Sequence, residues 1–140
     1  MFVKQLSVFI ENREGRLEQV TEVLKEENIN ILSLSMADTT EYGMLRMVVS
    51  DPERARTALR SKGFSAMLTD VLAVKLEDHV GELHKMTHIL CSKGLNIEYM
   101  YALAPEKRRA MIVKASDGAA AAKAVLEGGL HLYSNEELCW

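Results

Sequence analysis

The chain repeats itself at an offset of 66 residues, and this repeat constrains the fold more than any other feature of the sequence. The register holds without a gap and places Gly15 on Gly81. Other identical pairs fall at turn, cap and core positions: Leu17 and Leu83, Thr21 and Thr87, Leu24 and Leu90, Asn30-Ile31 and Asn96-Ile97, Ser50-Asp51 and Ser116-Asp117, Ala55 and Ala121, and Gly63 and Gly129. A fixed period of self-similarity indicates duplicated structural units. We therefore expect two modules, residues 1–69 and residues 70–140.

Both modules show the same order of elements. In the first, apolar and polar residues alternate over Lys4–Ile10, which predicts a strand, and a helix then runs from Gly15 to Asn28. The remaining predicted elements are strand Ile29–Ala37, a turn at residues 38–41, strand Met44–Val49, a helix from Asp51-Pro52 to Gly63, and strand Phe64–Leu68. The second module repeats them as strand Val71–Leu76, helix Leu83–Ser92, strands Leu95–Leu103 and Ala110–Ala115, helix Ala119–Leu126 and strand Leu130–Tyr133.

The order βαββαβ predicts an α+β fold of two ferredoxin-like modules, each an antiparallel sheet with both helices on one face. A unit of about 66 residues is marginal alone, because it buries only about 60% of its unfolded surface. Almost no linker separates the last strand of the first module from the first strand of the second. We therefore expect the modules to be tightly coupled.

Charge and composition exclude several classes of protein. The net charge of -3 argues against a general nucleic-acid or anionic-membrane surface. No apolar run approaches the roughly 20 residues of a membrane span, and the N-terminus does not read as a signal peptide. Cys91 and Cys139 form no CxxC pair and indicate no disulfide framework. A cytoplasmic protein without nucleic-acid or membrane partners is the expectation.

Two passages, each present in both copies, resemble the signature of the ACT domain. One is the loop from strand to helix, Glu11 to Leu17, repeated as Glu77 to Leu83, in which G-x-L opens the helix. The other is Asn28-Ile29-Asn30-Ile31, repeated as Gly94-Leu95-Asn96-Ile97, which starts the second strand. The resemblance covers essentially the whole chain, twice. One departure is that Glu14 and Val80 stand where many members of the family have proline.

The resemblance implies a regulatory sensor of a small ligand, most often a free amino acid, with no catalytic residues, cofactor or metal. It also implies a homodimer and a metabolic enzyme or regulator as partner. In the family, ligands commonly lie where the loop of one module faces the second strand of a partner module. Two modules would then form two pseudo-equivalent pockets.

The chemistry of the loops fits an amino acid. A ligand carboxylate needs clustered donors, and a helix N-terminus offers free N–H groups at residues 13–17 and 79–83. A ligand ammonium needs an acceptor, either the side chain of Asn12 or Asp78 or a carbonyl of residues 29–33 or 95–99. The predicted ligand-binding residues are Asn12, Arg13, Glu14, Gly15, Arg16, Leu17, Asn30 and Ile31 in the first module, and Asp78, His79, Val80, Gly81, Glu82, Leu83, Asn96 and Ile97 in the second.

Several alternatives stay open at this point. The chain could be a ligand-free interaction or regulatory subunit of a metabolic enzyme, and the glycine loops could serve turn geometry alone. His84 and His88 have the i, i+4 spacing of a metal chelate but no obvious third ligand. A catalytic role for Cys91 would require a positioned base, which the sequence alone does not show. The run Lys107-Arg108-Arg109 is typical of a solvated hairpin tip.

Overall fold

The computed structural model describes residues 1–38 and 42–138. The chain divides into two compact units, one formed by residues 4–69 and the other by residues 70–138 together with Met1–Val3. One strand, Ser65–Lys75, runs through the boundary between them.

The first unit is built on an antiparallel sheet. Its elements are β1 (Val3–Glu11), α1 (Arg16–Glu26), β2 (Ile31–Asp38), β3 (Tyr42–Val49), α2 (Pro52–Ser61) and β4 (Ser65–Lys75). β3 pairs antiparallel with both β1 and β2, and β4 lies next to β1. Alternate residues of the strands enclose a core with the buried faces of the two helices; its members include Leu6, Val8, Ile10, Val20, Leu24, Leu45, Met47 and Leu59.

The second unit repeats this arrangement. Its further elements are α3 (Glu82–Ser92), β5 (Ile97–Ala102), β6 (Ala110–Ala115), α4 (Gly118–Glu127), β7 (Leu132–Tyr133) and α5 (Asn135–Leu138). β6 pairs antiparallel with β4 and β5, and β7 pairs with β4 on the strand's other side. The core residues include Leu72, Val74, Met86, Leu90, Val113, Ala121, Ala122 and Val125.

Short polar signals set the helix ends. The Asp51 carboxylate accepts a hydrogen bond from the Arg54 N–H at 3.1 Å, and Pro52 follows at the first helical position. Asp117 does the same for α4, from the Ala120 N–H at 3.0 Å. Asn28, after α1, has a φ of 56°, the left-handed conformation that asparagine tolerates better than most residues. These starts and stops confirm the sequence predictions.

The predicted fold class, two α+β modules of order βαββαβ, is confirmed. The structure differs at the joint, where the two predicted strands form one continuous β4, because no glycine or proline interrupts residues 65–75. α5 was not predicted. Residues 39–41 of the predicted turn and Cys139 lie outside the described residues. In the part of the chain described, no helix combines the length and apolar character needed to cross a membrane.

Candidate functional site

The two glycine loops share one backbone geometry. Gly15 and Gly81 have φ values of 85° and 92°, a left-handed conformation that most L-residues avoid. In the first loop the Arg16 N–H donates to the Arg13 carbonyl at 3.4 Å, and in the second the Glu82 N–H donates to the His79 carbonyl at 3.3 Å. Neither following helix has a side-chain cap. The duplicated sequence thus forms a duplicated turn that leaves the first helical N–H groups without a side-chain acceptor.

The second loop lines a cavity of about 600 Å³. One side comes from the end of β4, the loop and the start of α3; the other comes from the hairpin between β5 and β6. The lining residues are Leu76, Glu77, Asp78, His79, Glu82 and Leu83 from the first side, and Ala102, Leu103, Ala104, Pro105, Glu106, Arg109, Ala110 and Met111 from the second. A cavity of this size is typical of small-molecule sites, which combine an apolar lining with a few polar groups.

An ion pair joins the two sides of this cavity. Arg109 Nη1 lies 3.0 Å from Asp78 Oδ2, and both side chains are more than half exposed. A guanidinium is a strong, geometrically specific donor to carboxylates, and a carboxylate accepts hydrogen bonds from an ammonium. The pair therefore offers, at one place, a cation for the carboxylate of an amino acid and a carboxylate for its ammonium group.

Three further carboxylates line the cavity. Glu77 Oε1 lies 3.6 Å from Lys75 Nζ at the end of β4. Glu82 lies in the first turn of α3, where the helix dipole favours a negative charge. Within residues 1–38 and 42–138, neither Glu82 nor Glu106 forms an ion pair. The cavity lining is consequently acidic.

The structure places the predicted residues of the second loop in two groups. Asp78, His79, Glu82 and Leu83 line the cavity. Val80 and Gly81 are exposed and do not line it. The glycine shapes the turn, whereas Asp78, His79, Glu82 and Leu83 supply side chains to the cavity.

The first loop has a different environment. Asn12, Arg13, Glu14 and Gly15 are exposed, and Arg13 Nε lies 3.0 Å from Glu11 Oε2. In the repeat register, Gly43 stands where the second module has Arg109. The cation that pairs with the second loop is therefore missing from this position in the first module.

Arg16 and Leu17 are directed to the body of the first unit. The Arg16 guanidinium lies 4.6 Å from the centroid of the Phe64 ring, and its Nη1 donates to Gln19 Oε1 at 2.7 Å. These three residues line a small cavity of about 270 Å³. Leu17 packs against the hydrophobic core. Both side chains therefore contribute to packing in this unit.

The predicted strand starts form a second repeated feature. The N–H of Asn30 donates to Ser50 Oγ at 2.9 Å, and the N–H of Ser50 donates back to the Asn30 carbonyl at 2.9 Å. Asn96 and Ser116 form the same clasp at 3.2 and 2.9 Å. This backbone bonding fixes both strand starts and leaves the asparagine side chains exposed.

Each strand start also lines a shallow groove. Asn30 and Ile31 line one of about 420 Å³, and Asn96 and Ile97 line its counterpart of about 430 Å³. Ile31 and Ile97 also pack against the cores of their units.

Within a unit, the loop and the strand start are separated by a helix. α1 and α3 each contain 11 residues, which corresponds to a length of about 16 Å. The loop lies at the N-terminal end of the helix and the strand start lies beyond its C-terminal end. The residues Asp78, His79, Glu82 and Leu83 are brought together, but Asn96 and Ile97 lie at the other end of α3.

Sequence reasoning missed the hairpin side of the cavity. Arg109 belongs to the run 107–109, interpreted from the sequence as a solvated hairpin tip; it is more than half exposed and also pairs with Asp78. Glu106, which precedes the run, was not singled out. A signal was present, since the cationic run 107–109 has no counterpart at residues 41–43. A charge that appears in only one copy of a repeat is a useful indicator of specialised function.

The remaining candidates form no larger cluster. His84 and His88 are exposed, and their rings stack with centroids 6.0 Å apart. Cys91 is exposed. Among the residues that the structure describes, no group of three or more histidine, cysteine, aspartate or glutamate side chains is arranged to hold a metal ion.

Comparison with known proteins gives a consistent result. The family model described as an ACT domain pair matches residues 1–140. The crystal structure of protein BT0572 from Bacteroides thetaiotaomicron is 37% identical, covers 99% of this chain and 96% of its own, and superposes with a TM-score of 0.92. No curated protein sequence matches the chain.

Two more distant structures share the fold. The regulatory subunit of aspartate kinase from Thermus thermophilus, in a ligand-free form, is 22% identical with a TM-score of 0.62, and the match covers 89% of this chain and 91% of that one. The corresponding subunit from Thermus flavus is 23% identical with a TM-score of 0.58, covering 90% and 92%.

Proposed function

Because the chain belongs to the ACT family, as an ACT domain pair, we propose that it is a regulatory protein that binds a free amino acid and catalyses no reaction. The observation that carries this proposal is the cavity of the second module, where Arg109 and Asp78 lie 3.0 Å apart beside the glycine loop. Ligand binding changes the conformation of the protein, and a metabolic enzyme or regulator recognises the changed conformation. Ligand binding shifts such an equilibrium only by its differential affinity for the two states.

Each part of an amino acid has a complement in this cavity. The ligand carboxylate binds the Arg109 guanidinium and the N–H groups at the start of α3, where the helix dipole favours an anion. The ligand ammonium binds the Asp78 carboxylate, which Arg109 then releases in part. Leu76, Leu83 and Met111 line the cavity with apolar surface for the ligand's carbon chain.

The proposal gives the two strand starts a separate role. Their residues are Asn30, Ile31, Asn96 and Ile97. The grooves that they line lie at the far end of the first helix of each module from the glycine loop. We propose these grooves as secondary sites for an amino acid. The exposed side chains of Asn30 and Asn96 supply amide donors and acceptors for this role.

A thermal-shift panel tests the proposal. The melting temperature is measured with each of the twenty amino acids at millimolar concentration, since a ligand that binds only the folded state raises it by mass action. We expect a stereospecific rise with at least one L-amino acid and none with its D-enantiomer. A flat panel on the folded protein would contradict amino-acid binding.

We also propose a homodimer, which is favoured by exposed apolar side chains on an edge strand. β2 lies at the edge of the first unit's sheet, and its Leu34 and Met36 are 40% and 47% exposed. Phe9 and Tyr42 are also exposed, and their rings stack 5.1 Å apart. Unpaired strand edges with apolar side chains favour pairing with another chain.

Light scattering at several protein concentrations tests the homodimer. We expect a dimer mass for the wild-type chain and a shift toward the monomer for Met36→Lys, which places a charge on the edge strand. Met67→Lys, at an exposed residue of β4, is the matched control. A monomer at all concentrations would exclude the homodimer.

A further inference from the structure

The cavity of the second module carries an excess of negative charge that a zwitterion alone does not balance. Its lining holds four carboxylates, those of Glu77, Asp78, Glu82 and Glu106, against one guanidinium, that of Arg109. The backbone groups of a bound amino acid add one negative and one positive charge. The net charge of the site therefore stays negative when an amino acid with a neutral side chain is bound.

Two of the four carboxylates already have cationic partners. Asp78 pairs with Arg109 at 3.0 Å, and Glu77 lies 3.6 Å from Lys75. Glu82 and Glu106 form no ion pair among the described residues, and they come from the two different sides of the cavity. A cation placed between these sides meets attraction from both, and an anion meets repulsion.

The charges of the second module can be compared with those at the same repeat positions of the first module. Arg16 stands at the repeat position of Glu82, and Thr40 stands at that of Glu106. Around the glycine loops, the first module has Arg13 where the second has His79. Residues 11–17 carry two acidic and two cationic side chains, whereas residues 77–83 carry three acidic side chains and no lysine or arginine. The acidity of the loop thus belongs to the second module, although the second hairpin has Lys107 and Arg108 where the first module has Glu41 and Tyr42.

From this distribution we infer that the cavity of the second module selects an amino acid with a cationic side chain, which Glu82 and Glu106 recognise. The inference rests on the proposed function, because it assigns the ligand's backbone to Arg109 and Asp78. It adds a specificity-determining role for two carboxylates. Charges exposed to solvent are screened by salt, so the preference for a cationic ligand decreases as ionic strength rises.

Isothermal titration calorimetry with matched ligands separates charge from shape. Lysine is compared with norleucine, which lacks the terminal ammonium, and arginine is compared with citrulline, which replaces the guanidinium by a neutral urea group. We expect at least one cationic ligand to bind about tenfold or more tightly than its neutral partner, the order of one added charge pair near a protein surface. Cadaverine, which has no carboxylate, is included as a cation without an amino-acid backbone.

The variants Glu82→Gln and Glu106→Gln, and the double variant, assign the effect to these side chains. We expect the double variant to lose the preference for the cationic ligand while its affinity for the neutral analogue changes less than about twofold, since the backbone contacts remain. Glu18→Gln, at the acidic residue in the first turn of α1, the repeat counterpart of α3, is the matched control and keeps the preference. Circular dichroism verifies that each variant is folded.

The outcomes distinguish the two levels of the proposal. If neutral amino acids bind as tightly as cationic ones, or the double variant keeps the preference, the cationic selectivity is wrong and amino-acid binding stands. If cadaverine binds as tightly as lysine, the cavity is a cation site and amino-acid recognition is wrong. If neither amino acids nor cadaverine bind, both the selectivity and the proposed function fail.

Discussion

Two residues, Asp78 and Arg109, distinguish the second glycine loop from the first. Their repeat counterparts are Asn12 and Gly43, so the ion pair has no equivalent in the other module. Both side chains are more than half exposed, and exposed ion pairs typically contribute no more than about 1 kcal/mol to stability. A role in recognition explains the pair better than a role in folding.

Arg109→Gln should therefore separate binding from stability. We expect the free energy of unfolding in urea to change by less than about 1 kcal/mol, because the ion pair is exposed. Affinity for the amino acid found by the thermal-shift panel should fall at least about tenfold, because a charge-assisted bond to the ligand carboxylate is lost. Lys107→Gln, in the same hairpin, is the control; equal affinities for the two variants would remove Arg109 from the site.

Gly81→Ala tests the left-handed turn itself. A Cβ at this position meets no atom within 4 Å, so any loss of stability comes from the backbone φ of 92° and not from a clash. We expect a loss of about 1–2 kcal/mol in urea unfolding. Val80→Ala at the exposed neighbour should be close to neutral. A neutral Gly81→Ala would show that the loop relaxes to another conformation.

At the scale of elements, α5 is held by a capping box. Glu137 Oε2 accepts a hydrogen bond from the Ser134 N–H at 2.7 Å, and Ser134 Oγ accepts one from the Glu137 N–H at 3.2 Å. The bond from the Ser134 N–H is the main cause of a pKa of Glu137 below its ordinary value of 4.5. His131 Nε2 lies 3.7 Å from the same carboxylate.

The lowered pKa predicts a pH dependence. Because the folded pKa lies below the unfolded one, the contribution of Glu137 is fully present above the unfolded pKa and is lost as the pH falls through the folded value. The difference in melting temperature between wild type and Glu137→Gln should be present at about pH 5 and should shrink as the pH falls below 4.5. Glu136→Gln, outside the box, is the control. A difference that does not shrink as the pH falls would show that Glu137 stabilises α5 through packing.

The sequence predicted most elements because their signals are local. Asp51-Pro52, Asn28 and the glycines act through bonds within three or four residues, and periodicity identifies the buried faces. The capping box of α5 was also readable, as Ser134 followed by Glu137, but a helix of four residues has no periodicity to support it. The sequence predicts two strands in place of β4 because the repeat puts a module boundary between residues 69 and 70, where the backbone strand continues unbroken.

The candidate site was less predictable, for a different physical reason. Asp78, His79, Glu82 and Leu83, which line the cavity, could be named as candidates from the repeated loop. Arg109 lies 31 positions from Asp78 in the chain, and only the pairing of β4 with β6 brings the two together. Local pattern carries no information about such a contact, so the hairpin side of the cavity appears only in the folded structure.

At the scale of the whole molecule, one strand links the two units. β4 contributes Ala66 to the core of the first unit and Leu72 and Val74 to the core of the second. When the part of β4 in one unit unfolds, the adjoining part in the other unit loses its continuation, and its pairing with neighbouring strands is weakened. We therefore expect cooperative unfolding of the chain in spite of its duplicated architecture.

The matched variants Leu24→Ala and Leu90→Ala test this cooperativity, since they occupy the same repeat position and are each 1% exposed. Each should destabilise the protein by about 2–5 kcal/mol through loss of buried surface and creation of a cavity. In calorimetry we expect a single transition for both variants, with equal calorimetric and van't Hoff enthalpies. Leu126→Ala, at an exposed position of α4, should leave the transition nearly unchanged. Two separate transitions, of which each variant lowers only one, would show that the continuous strand does not couple the units.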